Sequence, residues 1–486
     1  MTERTSAVQN FLEMYVPSHS RPWSLQCSER KLLLGVLDLL AVNTALAVVL
    51  WLRLGQPLSY RVLLQHPLWF LLLSALWLLV DVAFDTRELK AASTLSASLR
   101  RVVPAGVCAA LLYVAIPFLT PPLLGSRLTL GLFPVLMLGL LSVERSAYAL
   151  VLAQPAFQRR TLIVGAGWAG RTIAQVLAEH GHGAYQIVGF VDDDPAKRDL
   201  TLHISPFTLR VLGTRHAIPD LIARHRVTTL ILAITHEVNG DLLQVLMDSL
   251  ELGIEIVPMP ILYEQLTGRV PIEHVGDNWY VAMPIRHPGN NMVWPVVKRI
   301  MDIVLSTAGL MVLGLATPLI ALAIYLDSPG PIFYTQERVG KGGRRFRVYK
   351  FRSMVPNAEK GKAVWAKKND CRVTRVGRLL RKTHVDEFPQ FLNILKGEMS
   401  AVGPRPERPE FVDELARDIP FYRVRHAVKP GMAGWGLVKQ GYGASKEDAL
   451  LKLQYDLYYI KYQSLWLDVV ILIKTIVDTL TFRGRA

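Results

Sequence analysis

The sequence predicts a mixed membrane protein in three parts: a four-helix transmembrane bundle, a parallel α/β middle domain, and a C-terminal α-rich domain entered through a fifth apolar helix. Three features predict this: four early apolar runs, a glycine-rich turn between a strand and a helix, and a late apolar run followed by a strongly basic segment. Of 486 residues, 51% are hydrophobic and 20% charged, which excludes general disorder. A net charge of +15 beside a positive mean hydropathy suits a membrane protein that handles anionic partners. Cys27, Cys108 and Cys371 are widely spaced, which argues against a disulfide scaffold and a cysteine metal site.

Residues 31 to 54, 67 to 84, 102 to 124 and 129 to 152 each carry enough apolar residues to span a bilayer. No small-residue cleavage site precedes them, so a removed signal peptide is not expected. Residues 1–29 form a cytoplasmic N-terminal segment and 30–152 the bundle. Arg21, Arg30 and Lys31 precede the first run, Arg87, Lys90, Arg100 and Arg101 lie between the second and third, and Arg159 and Arg160 follow the fourth. Arg53, Arg61 and Arg127 alone mark the other side, so both ends are expected in the cytoplasm. Asp38 and Asp81 inside these runs are read as interhelix partners or interfacial residues rather than as a transport path.

The middle domain, residues 159–280, opens with R-T-L-I-V-G-A-G-W-A-G, placing Gly165, Gly167 and Gly170 in G-x-G-x-x-G spacing between a strand and a helix. Such a turn brings backbone close to a pyrophosphate and aims a helix N-terminus at it. A second strand ends at Asp192, where a ribose-binding acid would sit, and further strands follow at 228 to 234 and within G-I-E-I-V-P. A Rossmann-like α/β fold follows from this alternation. A bound nucleotide does not, because the same glycines serve tight strand-to-helix packing in domains that bind nothing. The catalytic tyrosine and lysine of a short-chain dehydrogenase are absent here, and Tyr442-x-x-x-Lys446 falls in another domain.

Residues 303 to 326 form the fifth apolar run, with Pro318 inside it. An ordinary span would carry the following cationic domain across the membrane, against the positive-inside tendency. Proline favours a kink, and Ser306 and Thr307 are candidates to satisfy a freed carbonyl. A helix that enters, bends at Pro318 and leaves on one face is the alternative to a kinked span. From Arg338 to Lys382 there are sixteen Lys or Arg and two acids. Beside an embedded helix this surface suits lipid or substrate phosphate, and no nucleic-acid reading element accompanies it.

Adjacent acids, Asp386 and Glu387, then open an amphipathic helix. Thr383-x-x-Asp386 fits a capping box, which would give the acid a purely structural role. Alternatively, an acid pair near Arg381 can hold Mg²⁺ with a substrate phosphate, one carboxylate attacking phosphorus while its neighbour holds the metal. Gly403-Pro-Arg405-Pro presents one guanidinium on a rigid turn, a phosphate clamp or a plain loop.

These strings together resemble the bacterial polyprenyl-phosphate hexose-1-phosphate transferases, in their large multi-domain form. The resemblance runs over about residues 295–486, through K298-R299-x-x-D302, D327-S-P-G-P, K350-F-R-S-M354, D386-E-F-P-Q390, V402-G-P-R-P406, K429-P-G-M-A-G-W435 and Y455-D-L-Y-Y459. It implies a C-terminal catalytic domain with a re-entrant membrane helix at 300–326. It also implies transfer of a sugar 1-phosphate from a UDP-sugar, UDP-glucose first and UDP-galactose second, to undecaprenyl phosphate with release of UMP. In this family Asp386 would be the nucleophile and Glu387 the Mg²⁺ ligand. Arg381 and Arg405 would hold phosphate, supported by Lys350 and Arg352. A bacterial inner-membrane location, a cytoplasmic catalytic face and a homodimer are further expectations. Two departures stand out: His384 before the acid pair, and Leu437 where relatives often carry glutamine. A membrane-anchored NAD-dependent dehydratase or epimerase would instead need a second α/β region with a catalytic Y-x-x-x-K, and a scaffold would need no acid pair beyond a helix cap.

Overall fold

The structure, a computed structural model, describes residues 27–54, 66–116, 119–121, 127–152, 154, 157–181, 183–234, 240–272, 293–356, 358, 370–441 and 445–481. Arg21, Arg61 and Tyr442 lie outside the described residues, as does most of the expected N-terminal segment. The chain forms two compact units, Met1–Thr267 and Gly268–Ala486.

The first unit begins with four long apolar helices, α1 (Cys27–Leu54), α2 (Pro67–Phe84), α3 (Leu95–Ala115) and α4 (Arg127–Ala147), the last running into a π-helical turn, Tyr148–Leu152. By length and composition each is able to cross a membrane. α3 starts and ends earlier than its apolar run. Ile116, the residue before Pro117, is extended, as a residue preceding proline tends to be, so the helix stops there. The four helices share a core that includes Val49, Trp77, Val102, Tyr113, Phe133 and Met137. Asp38 and Asp81, the two acids singled out in these runs, are paired, and Glu144 lies 3.4 Å from Arg145 Nε. Arg145 Nη2 donates to both oxygens of the fully buried Asp38 at 2.8 Å, and Arg87 meets Asp81 at 2.8 Å, its guanidinium lying against Gly35.

The middle sheet has the order β3-β4-β2-β1-β5-β6. Its strands are β1 (Arg159–Val164), β2 (Tyr185–Val191), β3 (Thr201–Ile204), β4 (Phe207–Gly213), β5 (Thr229–Leu232) and β6 (Glu255–Pro258). All pairings are parallel except the β3–β4 edge hairpin. Helices α5 (Trp168–His180), α6 (Ile218–His225), α7 (Gly240–Glu251) and α8 (Met259–Thr267) complete it.

The second unit starts earlier than the sequence boundary near 280. Gly268 O accepts Trp435 Nε1 at 3.0 Å and Val270 N donates to Gln454 O at 3.1 Å, so residues 268–272 belong to the C-terminal fold. Its longest element is α9 (Val293–Asp327), one continuous helix with Pro318 inside it. The helix does not end at Pro318. Gly314, whose carbonyl the proline leaves unpaired, and Pro318 both lie on the exposed face, where the helix can bend outward without losing packing. Of the two hydroxyls expected to satisfy a freed carbonyl, Ser306 and Thr307, that of Ser306 donates to Ile303 O, and nearer the proline Thr317 Oγ1 donates to Leu313 O. Three side chains near the start of α9 clamp it to the rest of the unit. Lys298 donates to Asp468, Tyr459 and Val402 O, Arg299 to Ile394 O and Leu395 O, and Asp302 accepts from Ser400 and Ala401 N.

A hairpin follows, β7 (Phe333–Val339) and β8 (Arg345–Phe351), turned through Gly342 and Gly343 at positive φ. After it come α10 (Arg375–Lys382), a 3₁₀ turn at Val385–Gln390, α11 (Phe391–Lys396), β9 (Ser400–Val402), α12 (Pro409–Asp418) and a second 3₁₀ turn at Tyr422–Ala427. β10 (Gly431–Ala433) pairs parallel with β9, and α13 (Trp435–Gln440), α14 (Lys446–Lys461) and α15 (Leu465–Leu480) close the fold over a core around Leu457, Tyr459 and Ile471.

Asp38→Leu alone is expected to destabilise the bundle by about 3 kcal/mol, because it leaves the buried Arg145 guanidinium with Glu144 at 3.4 Å in place of its two 2.8 Å bonds, whereas Asp38→Leu with Arg145→Met and Glu144→Gln recovers most of that loss. Thermal midpoints in detergent measure both.

Candidate active site

The acid pair lies on the 3₁₀ turn, not at the start of an α-helix. The capping box does not form either: Thr383 Oγ1 turns back to Leu379 O and Leu380 O and closes α10. His384 then takes a left-handed conformation with φ of 56°, and Glu387 N returns to its carbonyl at 3.1 Å. Histidine belongs to the few residue types that enter this region at low cost, which accounts for a position the sequence leaves unexplained.

Asp386 and Glu387 are both 8% exposed, yet their surroundings differ. Glu387 Oε1 accepts Lys350 Nζ at 2.7 Å and Arg405 Nη2 at 2.8 Å, while Arg405 Nη1 reaches Oε2 at 3.2 Å. Burial works against the charged form, but Arg405 and Lys350 overcome it and hold the carboxyl well below the usual range. Asp386 has no hydrogen bond or ion pair among the described residues. Burial first, then the neighbouring Glu387 charge, raises its carboxyl above the ordinary value, against Lys350, Arg381 and His384. One acid is thus locked and ionic; the other is unengaged and more basic.

Local structure explains the placement. Asn393 joins α11 to β8 through Arg347 O and Tyr349 N, at 2.7 and 3.1 Å, which sets Lys350 opposite the turn. Arg381, in the last turn of α10, donates Nε to Ser353 Oγ at 2.9 Å. Arg352 is not brought to the acids. The β8 strand ends at Phe351, the chain turns as Arg352 N bonds Ile332 O, and the guanidinium runs to Ser328 O beside Gly330. In the structure this contact anchors the turn after α9. A cleft beside the pair is lined by Arg338, Val348, Lys350, Gln390, Arg405 and Pro406. Gln390 stands inside a resembling string and Arg338 opens the basic segment, and only their proximity to Arg405 reveals them.

Residues 293–482 match the family model described as bacterial sugar transferase. The chain is 49% identical over 224 residues to a UDP-N-acetylgalactosamine-undecaprenyl-phosphate N-acetylgalactosaminephosphotransferase of Aeromonas hydrophila, covering 46% of this chain and 51% of that one. It is 43% identical over 188 residues to a UDP-glucose:undecaprenyl-phosphate glucose-1-phosphate transferase of Xanthomonas campestris, covering 38% and 39%. Over 199 residues it is 40% identical to an exopolysaccharide production protein PSS of Rhizobium leguminosarum, covering 39% of this chain and 98% of that protein. The chain belongs to the bacterial sugar transferase family. It spans about half the length of the Aeromonas relative. Residues 83–260 separately match a model described as CoA-binding domain.

The family site has a donor set of limited fit to magnesium. No cluster of three or more metal-ligating residues occurs among the described residues. Magnesium needs only one or two carboxylates when substrate phosphates complete its shell. Glu387 Oε1 is already filled, so Glu387 Oε2 and the Asp386 carboxylate are the oxygens that fit.

In the middle domain Asp192 is already engaged by the protein. Its carboxylate accepts Ala166 N at 2.7 Å, Asp194 N at 3.0 Å and Lys197 Nζ at 3.2 Å, stapling the strand end onto the glycine turn. Burial opposes that charge, and these contacts outweigh it, lowering the carboxyl below its ordinary value. A Cβ at Gly170 would strike Gly165 O, whereas one at Gly167 meets nothing within 4 Å. The pattern is explained by packing at one of its glycines and by open space at another. Gly170→Ala is expected to destabilise the domain by about 1–3 kcal/mol through overpacking, with Gly167→Ala near neutral; the pair of thermal midpoints separates the two roles.

Proposed function

We propose that this protein transfers a hexose 1-phosphate from a UDP-sugar to undecaprenyl phosphate, releasing UMP, through a covalent intermediate on Asp386. The observation that carries the reading is the asymmetry of the acid pair: a buried, raised, unengaged aspartate beside a glutamate held by two cations. An Asp386 oxygen attacks the phosphorus that bears the sugar. The bond from that phosphorus to the bridging oxygen breaks, and UMP leaves with the electron pair. An oxygen of the lipid phosphate then attacks the same phosphorus, and the Asp386 carboxylate is released. Arg405, Lys350 and Arg381 are the cations that neutralise the pyrophosphate and the developing charge. Magnesium, when bound through Glu387 Oε2 and phosphate oxygens, would supply further neutralisation.

The donor reading follows the relative at 49% identity, named for N-acetylgalactosamine, over the glucose expected from sequence and named in the relative at 43%. The product is the lipid-linked first sugar of an exopolysaccharide, capsule or O-antigen.

We further propose that α1 to α4 span the bacterial inner membrane with both ends cytoplasmic, and that α9 re-enters from that face, bent at Pro318. A straight span is hard to reconcile with the packing. Lys298 and Asp302 at one end, and Leu313 and Ile324 towards the other, hold the same globular unit against α9. From Lys298 to Ile324 is roughly 39 Å of helix, more than the ~30 Å hydrocarbon core. A span would draw the end of the two-stranded hairpin at Phe351 and the short helix that carries Leu380 through lipid. The outward face, with Leu315, Leu319 and Leu326 more than 70% exposed, is the surface left for lipid.

With purified protein, magnesium and undecaprenyl phosphate, UMP release is expected with UDP-N-acetylgalactosamine and tested in parallel with UDP-glucose and UDP-galactose. Without lipid acceptor, release stops near one equivalent per active site. Asp386→Asn lowers turnover by on the order of 10³-fold or more. Because Asp386 attacks as the carboxylate and its pKa is raised, the rate falls as pH drops through a value above the ordinary 3.8. No UMP from any UDP-sugar overturns the proposal.

A further inference from the structure

Arg405 meets Glu387 because its main chain is held from behind. Four consecutive carbonyls of the loop accept hydrogen bonds: Pro404 O from Gly431 N at 2.9 Å, Arg405 O from Arg425 Nη2 at 3.0 Å, Pro406 O from Arg338 Nη1 at 3.1 Å, and Glu407 O from Val339 N at 3.0 Å. Pro404 and Pro406 have no N–H, so carbonyls are the handles this loop offers. Two are gripped by backbone of β7 and β10, and two by guanidinium groups. The guanidinium on the carbonyl of Arg405 itself is that of Arg425.

Arg425 is 4% exposed, and its fork is filled by three acceptors. Nη1 donates to Tyr422 OH at 2.7 Å, and Nη2 is shared between Arg405 O and Asp456 Oδ2, the latter at 2.8 Å. Arg425 packs on the Tyr422 ring as well. Asp456 comes from α14, so the grip links the last third of the unit to the acid pair. A lysine at this position could not span all three acceptors in one plane. A buried ion pair that served stability alone would need no contact with the loop that carries the phosphate clamp.

We propose that Arg425, oriented by Asp456 and Tyr422, is a positioning residue that sets the Arg405 guanidinium onto Glu387 for the transfer reaction. The inference rests on the transferase reading for its effect on turnover, and on geometry alone for its effect on Arg405.

The test uses the full-length protein in detergent. Arg425→Met together with Asp456→Leu removes one charge of each sign, so the net charge of the buried cluster with Lys452 and Glu407 is unchanged, a kind of replacement that folds tolerate. Tyr422→Phe is the milder second variant, removing one acceptor and no volume. Turnover is expected to fall roughly ten- to hundredfold for the paired variant with KM within about threefold, because a displaced clamp costs transition-state more than ground-state contact. Arg425→Lys, which keeps one bond, falls between it and the parent. A second readout needs no substrate. Thermal midpoints of the paired variant, of Glu387→Gln and of their combination are expected to be non-additive by about 2–4 °C, and additive once Arg405 is lysine. Additive midpoints with unchanged kcat overturn the inference and reduce Arg425–Asp456 to a structural pair. Non-additive midpoints in a protein whose parent releases no UMP leave the positioning intact and overturn the transferase reading instead.

Discussion

The contact on which the C-terminal unit depends is the grip of two cations on Glu387. A carboxylate that is 8% exposed would be strongly disfavoured if left alone, and so would a buried lysine. Together, Glu387, Lys350 and Arg405 satisfy each other, and each comes from a different element: the 3₁₀ turn, β8 and the loop after β9. The triad therefore joins three segments distant in sequence. It also defines Asp386 by contrast, because the fixed negative charge next door is one of the two forces that raise its carboxyl. A more basic carboxylate is a better nucleophile towards phosphorus, provided the pH keeps it ionised.

Elements around the triad serve mainly to hold it. Lys298, Arg299 and Asp302 stand in one of the resembling strings, at the start of the fifth apolar run. In the structure they are ties: an ammonium on Asp468 and Tyr459, a guanidinium capping the end of α11, and a carboxylate receiving the start of β9. They register α9 against the loop that carries Arg405. Charge in a motif reports need for a partner, and the partner is as often a carbonyl as a substrate.

Much of this was legible in one dimension. Apolar runs located the long helices, because a bilayer demands length and hydropathy that little else imitates. The glycine turn announced the parallel sheet through Gly170, where only hydrogen fits against Gly165 O. The adjacent acids and Arg405 were likewise visible. What escaped was direction. Arg352 sits two residues after Lys350, and period-two reasoning puts both on one face, but the strand ends between them and the second guanidinium turns away. Asp192 occupies the place of a ribose acid, yet Lys197 and two amides consume it, a local competition that spacing does not encode. Arg425 carried no signal at all, since its acceptor is the main chain of a residue twenty positions away. At Pro318 the helix continues, because one hydrogen bond lost on an unpacked face does not end it.

On the transferase reading proposed above, the cations that lock Glu387 are also those that would receive a pyrophosphate, and this would constrain how the site works. In the structure Lys350 and Arg405 are compensated by the Glu387 carboxylate. A diphosphate entering beside Arg338 and Lys350 must share these donors with Glu387 rather than displace it, because expelling a buried carboxylate from two cations would forfeit more than one new contact returns. Sharing leaves each cation partly satisfied in the ground state. It becomes fully engaged only when charge accumulates on the departing phosphate oxygen, which is the condition for binding energy to appear as rate rather than as affinity.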